Sequence, residues 1–285
     1  MFDRLRRALQ SSTESVQDSD SAHAAVPVTD QLSDAQLLAL WQTQYLDGRR
    51  VDILRPPREA SSSAAILFLH GHGRVMLDQN PVYTRLCCDA GLAVVCPDGG
   101  QSWWLHEHCP DFSATTTDYS GTPQEWLLNR VIPLMHAELG VQPPNIALMG
   151  VSMGGQGILQ LAYRHAAQYP VLAAIAPAVD FHQMYGSGIP LDGIFPDVEA
   201  ARQATVILNL HPLSWPRYQF FCCDPTDTEW FDGVARLGMK LSSSGILHER
   251  DLETSHGGHT WDYFNHMAPR VLQHLQHGLA NVAGE

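Results

Sequence analysis

The chain has 285 residues, 45% of them hydrophobic, and carries 17 Lys and Arg against 30 Asp and Glu, a formal net charge of −13. That length and apolar content suit one large α/β domain or two small ones with a buried core, and the acidic balance argues against a nucleic-acid partner. No run is long and apolar enough to span a bilayer, and the polar stretch after Arg4, Arg6 and Arg7 lacks the apolar core of a secretory signal, so no membrane role and a cytoplasmic location are expected.

In chain order, residues 1–32 read as a flexible polar tail, with a short helix over 2–9. A domain then runs over 33–285. Residues 34–45 look helical, 50–54 form a strand, and 56–63 are a turn-rich break. Continuous apolar strands are expected at 64–69 and 92–96, with a helix over 81–90 between them. The segment 122–139 is helical: Thr122 and Glu125 make a capping box, Pro123 takes the first position, and Pro133 should kink it. Strands follow at 146–149, 171–176, 218–223 and 246–252. Helices are expected near 156–163, 230–241 and 263–279. Residues 180–216 interrupt the alternation with a helix around 197–204, and read either as a cap over a site or as a long surface connection. Short apolar strands separated by helices imply a mostly parallel central sheet with helices on both faces.

The run Gly150-Val151-Ser152-Met153-Gly154-Gly155 lies between the strand at 146–149 and a helix. Strand, G-x-S-x-G, helix is the context of a nucleophile elbow, whose sharp turn needs glycines beside the serine and presents its hydroxyl at the carboxyl end of the sheet. A serine hydroxyl needs a base to take its proton, and the base needs a carboxylate to hold its tautomer. The base candidate is His259, in a Gly257-Gly258-His259-Thr260-Trp261 loop between the last strand and the last helix; His256 is the rival. The acid must follow an intervening strand. Asp227 is favoured, Asp224 begins the same loop, and Asp180 follows the preceding strand. Two donors must meet the oxyanion. The backbone N–H of Met153 is one, and that of His72, in the loop Leu69-His70-Gly71-His72-Gly73, is the other, with Gly71 as alternative. Trp103 and Trp104, after the second central strand, are candidates for a substrate-binding wall.

The pairs His70/His72 and His106/His108, the latter beside Cys109, have ligand-like spacing, but no H-E-x-x-H is present and no further ligands suggest themselves. No metal and no cofactor are expected. The six cysteines include two adjacent pairs and no C-x-x-C, which fits free thiols, most of them in apolar stretches, better than a zinc or redox site.

Together, Leu69-His70-Gly71-His72-Gly73, Pro97-Asp98-Gly99-Gly100-Gln101-Ser102-Trp103, the elbow, Asp224-Pro225-Thr226-Asp227 and Gly257-Gly258-His259-Thr260-Trp261 resemble the putative-esterase group of α/β-hydrolases. That group includes S-formylglutathione hydrolases, feruloyl esterases and mycolyltransferases. The resemblance spans roughly residues 50–280. It implies an α/β-hydrolase fold and a serine esterase acting on a small-molecule ester, with nucleophile, acid and base falling on Ser152, Asp227 and His259. The same triad would serve a thioesterase or acyltransferase, and the fold would also serve a catalytically silent binding protein.

Overall fold

The computed structural model describes Thr29, residues 32–57 and residues 63–284. The helix expected over 2–9 lies outside these residues, as does much of the break at 56–63. The strands are β1 (Trp41–Leu46), β2 (Arg49–Leu54), β3 (Ala65–Leu69), β4 (Ala93–Pro97), β5 (Ile146–Val151), β6 (Val171–Ile175), β7 (Tyr218–Cys222) and β8 (Glu249–Asp251). They form one sheet in the order β1-β2-β4-β3-β5-β6-β7-β8. The β1–β2 and β2–β4 pairs are antiparallel and all others parallel.

Every residue of β3, β5 and β6 is buried. Successive side chains of a strand point to opposite faces, so both faces of the sheet centre are covered. The helix Met153–Arg164 lies against β3, β5 and β6, and Trp261–Ala283 against β5, β6, β7 and the helix Pro81–Asp89. Each fully buried Leu, Ile, Val or Phe contributes about 1.5–3 kcal/mol. These central strands therefore anchor the fold, while β1, exposed along much of its length, is an edge.

The strand order reverses beside β3, whose two neighbours follow it in the chain on opposite sides. Such a switch point opens a crevice at the carboxyl ends of the strands. The loops after β3, β4 and β5 emerge there.

Two expectations need correction, on the first helix and the last strand, and the structure adds detail to the segment 122–139. The helix predicted over 34–45 stops at Leu38, after the Ser33–Gln36 capping box, and Trp41–Leu46 pairs with β2 instead. Asp47 (φ 51°) and Gly48 (φ 79°) form the hairpin turn, and Asp-Gly is the sequence signal for it. In the segment 122–139, Pro133 is preceded by a π-helical stretch, Leu127–Val131, whose shifted bonding accommodates a proline that cannot donate. The last strand is only three residues long rather than seven. Residues 180–216 hold the short helices Phe181–Met184, Leu191–Ile194, Val198–Gln203 and Val206–Leu208. All six cysteines are buried and unpaired. Among the described residues no helix is long and apolar enough to cross a membrane.

Candidate active site

Ser152 stands between β5 and the helix Met153–Arg164 at φ 54°, ψ −120°, a backbone conformation that costs a non-glycine residue about 1–3 kcal/mol. Its neighbours hold it there. The Ser152 N–H donates to the Ile175 carbonyl at 2.9 Å, and its carbonyl accepts from the N–H of Ala178 at 3.0 Å and of Gln156 at 3.1 Å. The flanking glycines are required by close approach. A Cβ on Gly154 would overlap the Leu69 carbonyl, and one on Gly150 would lie 2.5 Å from the Gly154 oxygen.

The His259 ring reaches the serine from the loop before the last helix. Its Nε2 lies 2.9 Å from Ser152 Oγ and its Nδ1 2.7 Å from Asp227 Oδ2. With Nδ1–H donating to the carboxylate, Nε2 is free to accept the serine proton. Gly257 (φ 91°) and Gly258 (φ 71°) supply two left-handed steps that bring the ring in. Asp227, 2% exposed, also accepts at Oδ1 from the N–H groups of Glu229 and Trp230, both at 3.1 Å. The Cys223 thiol lies 3.5 Å from Oδ2. Burial works to raise the Asp227 carboxyl, but the hydrogen bond and charge of His259, with the two backbone donors, hold it below the usual carboxylate value.

The rival residues are occupied elsewhere. Asp224 is fully buried. It accepts from Thr226 N–H and O–H, both at 2.8 Å, and from Ser255 O–H at 3.0 Å, and also from the N–H groups of His256 and Gly258. Against the effect of burial, these donors hold its carboxyl well below the usual range. It therefore ties down the loop that carries His259. Asp180 pairs with Arg236. The exposed His256 ring stacks on His266 with centroids 4.2 Å apart.

The loop after β3 touches the elbow: a Cβ on Gly71 would come 3.2 Å from Ser152 Cβ. Among the described residues, the N–H groups of Gly71, His72 and Met153 donate to no protein acceptor. His70, fully buried, fixes the loop. Its Nδ1–H donates to the Gly71 carbonyl at 2.8 Å, and its Nε2 accepts from Gly99 N–H at 3.1 Å. Burial, and then the neighbouring His70, push the His72 imidazole down from its ordinary pKa.

A cavity of about 310 Å³ opens beside Ser152 and His259, walled by Val75, Trp103, Met184, Trp230, Trp261 and Phe264. Trp103 and Trp104 both have positive φ, 56° and 53°. Gln156 and Gln124 hold their two carbonyls. The Trp103 ring faces the cavity and packs on Phe181, 5.8 Å between centroids. Trp104 does not reach it, which corrects the expectation of a second wall residue. Its fully buried ring lies in the core, donating from Nε1 to the His70 carbonyl at 3.1 Å. Sequence reading missed Trp230, Trp261 and Phe264. Trp230 lies three residues past Asp227, and Trp261 and Phe264 share one face of the helix that follows His259. From the segment 180–216, Met184 reaches this wall. His106 and His108 are exposed, and among the described residues no three metal-type side chains gather.

Solved structures with this fold include a ferulic acid esterase, with a TM-score of 0.66 and 14% identity, covering 84% of this chain and 98% of that one. An S-formylglutathione hydrolase from Agrobacterium tumefaciens gives a TM-score of 0.65 and 15% identity over 84% of this chain and 94% of that one. A fluorophosphonate-binding serine hydrolase of Staphylococcus aureus gives 0.63 and 13% over 81% and 97%. No curated protein sequence matches the chain. The family model for esterases, described as "Putative esterase", matches residues 47–245, and the chain belongs to that family.

Proposed function

We propose that the protein is a serine esterase that cleaves carboxylic esters through an acyl-serine intermediate. The observation that carries this reading is the unbroken hydrogen-bond chain from Asp227 through His259 to Ser152. As Ser152 Oγ attacks the ester carbonyl, its proton passes to His259 Nε2, and Asp227 stabilises the imidazolium. The N–H groups of Met153 and His72 receive the developing oxyanion. The intermediate collapses, the C–O bond to the alcohol breaks, and the alcohol leaves with the proton from His259. Water then enters, gives a proton to His259, attacks the acyl carbon, and releases the acid and a regenerated Ser152. The chemistry calls for no cofactor. An apolar cavity of about 310 Å³ is near the lower end of small-molecule sites, which favours a short or single-ring acyl group.

Hydrolysis of p-nitrophenyl acetate, butyrate and octanoate by the wild type and by Ser152→Ala tests the reading. The wild type should favour the shorter esters, and Ser152→Ala should lose roughly 10⁴–10⁶-fold in kcat. Undiminished activity in Ser152→Ala would reject it.

A further inference from the structure

Across the His72 loop from the catalytic cavity lies a second hollow of about 470 Å³, bordered by Tyr45, Arg49, Arg74, Gly100, Gln101 and Asp111. Arg49 is its buried member, 6% exposed, with its guanidinium 3.9 Å over the Phe112 ring. It donates only to neutral acceptors: Thr116 Oγ1 at 2.6 Å, the Asp98 carbonyl at 3.1 Å, the Phe112 carbonyl at 2.8 Å and Thr115 Oγ1 at 2.5 Å. A guanidinium has five N–H donors, so one on Nη1 is left over. Gly100 stands beside that nitrogen, and even a Cβ there would be 3.6 Å away. No side chain fills the space.

The charges around Arg49 do not balance it. Arg50 is paired with Asp52 and Asp78, and Arg74 with Asp98 at 2.5 Å. Among the described residues no carboxylate comes within ion-pair distance of Arg49. Burial pushes its pKa down to about 10, opposed first by the charge of Asp98, so it is a cation at neutral pH. A buried cation with no carboxylate in direct ion-pair contact is costly. In a chain of net charge −13, a positive hollow is a local feature. Two acids work against it: Asp98, which also lines the hollow and is paired with Arg74, and Asp111, exposed at the rim.

The hollow adjoins the nucleophile. Gln101 Nε2 donates to His72 Nδ1 at 3.3 Å. The Arg74 N–H donates to the Gly71 carbonyl at 3.0 Å, closing a turn whose first residue abuts Ser152. A turn of this kind spans under ~7 Å and an arginine side chain adds several more, so the two sites are on the order of 10 Å apart. We propose, resting on the esterase reading above, that this hollow binds a carboxylate carried by the ester substrate, several bonds from the scissile carbonyl.

The test compares kcat/KM at low salt for matched anionic and neutral esters. The pairs are mono-p-nitrophenyl adipate against p-nitrophenyl hexanoate, and 6-acetoxyhexanoate against hexyl acetate, placing the charge on the acyl or the alcohol side. One pair should favour the anion by about tenfold. That ratio should fall in Arg49→Met and rise in Asp111→Asn. Arg49 is embedded and its variant can fail to fold, so Arg74→Gln, whose side chain is 55% exposed, serves as the second reading and should also lower the ratio. No preference for either anionic ester, or a preference that Arg74→Gln and Asp111→Asn leave unchanged, overturns the proposal. Millimolar inorganic phosphate should compete with the anionic ester alone. An equal effect on the neutral ester would assign the hollow to a free anion and overturn the substrate-borne carboxylate. If no ester is cleaved, calorimetric titration with adipate separates the two failures. Binding that Arg74→Gln weakens keeps the carboxylate site and counts against the esterase reading; absence of binding sinks the site.

Discussion

Asp224→Asn and Asp227→Asn should fail in opposite ways, although the two aspartates begin and end one short loop. Asp224 Oδ1 accepts from Thr226 and Ser255, and Oδ2 accepts from the backbone N–H groups of His256 and Gly258. In the Asp224→Asn variant the amide oxygen can keep the first set, but the NH₂ then faces two N–H donors. Two charge-assisted bonds are lost inside a buried site, each worth about 1.5–3 kcal/mol, and the expected net loss of stability is about 3–5 kcal/mol. In the Asp227→Asn variant the amide oxygen can still accept from Glu229 and Trp230, so stability should fall by only about 1–2 kcal/mol. Its NH₂ instead faces His259 Nδ1, which forces the proton onto Nε2 and leaves no acceptor for Ser152. The same exchange in the serine-protease triad lowers kcat by about 10⁴. Urea denaturation at neutral pH and kcat on p-nitrophenyl acetate read the two effects. An Asp224→Asn protein within about 1 kcal/mol of wild-type stability, or an Asp227→Asn protein within about tenfold of wild-type kcat, would refute the assignment.

The two tryptophans should also separate. Trp104→Ala removes a fully buried ring and should cost about 3–5 kcal/mol. Trp103→Ala enlarges the cavity wall and should shift the acyl-chain profile towards longer esters; an unchanged profile would contradict that placement. Gly154→Ala should abolish soluble folded protein or catalysis, because its Cβ would overlap the Leu69 carbonyl; a stable, active variant would contradict the packing of the elbow. Asp224 and Asp227 both have folded-state pKa values below their ordinary value. Their contribution to stability is therefore complete above the unfolded-state pKa of about 4 and is lost as pH falls through the folded values. Stability measured by denaturation should decline below about pH 4, and less steeply in Asp224→Asn; an equal slope would count against the Asp224 network.

The elbow and the Gly-Gly-His loop were readable because each is local. Strand, tight turn and helix are contiguous at Ser152, and two left-handed glycines precede His259. The choice between Asp224 and Asp227 was not local. It depends on donors contributed by Ser255, His256 and Gly258, some thirty residues away in the chain, and only the folded loop brings them to Asp224. Trp103 and Trp104 posed the same difficulty. Adjacent residues in the same unusual backbone conformation send one ring to the cavity and one to the core, and the deciding contacts are Phe181, at the start of the short helix Phe181–Met184, and His70, in the loop after β3. The β1 strand was hidden by a good helix start at Ser33, although Asp47-Gly48 signalled a hairpin. Nothing in the sequence marks out Arg49, and its lack of a carboxylate within ion-pair distance is visible only once the helix Pro110–Thr115 has folded against it.

The central claim is that Ser152 becomes the covalent nucleophile. Its most direct test is incubation with an alkyl fluorophosphonate, followed by intact mass and peptide mapping. A single adduct on Ser152, absent from Ser152→Ala and formed much more slowly in His259→Ala, is the predicted result. An adduct on another residue, or none while esters are still turned over, would contradict the account.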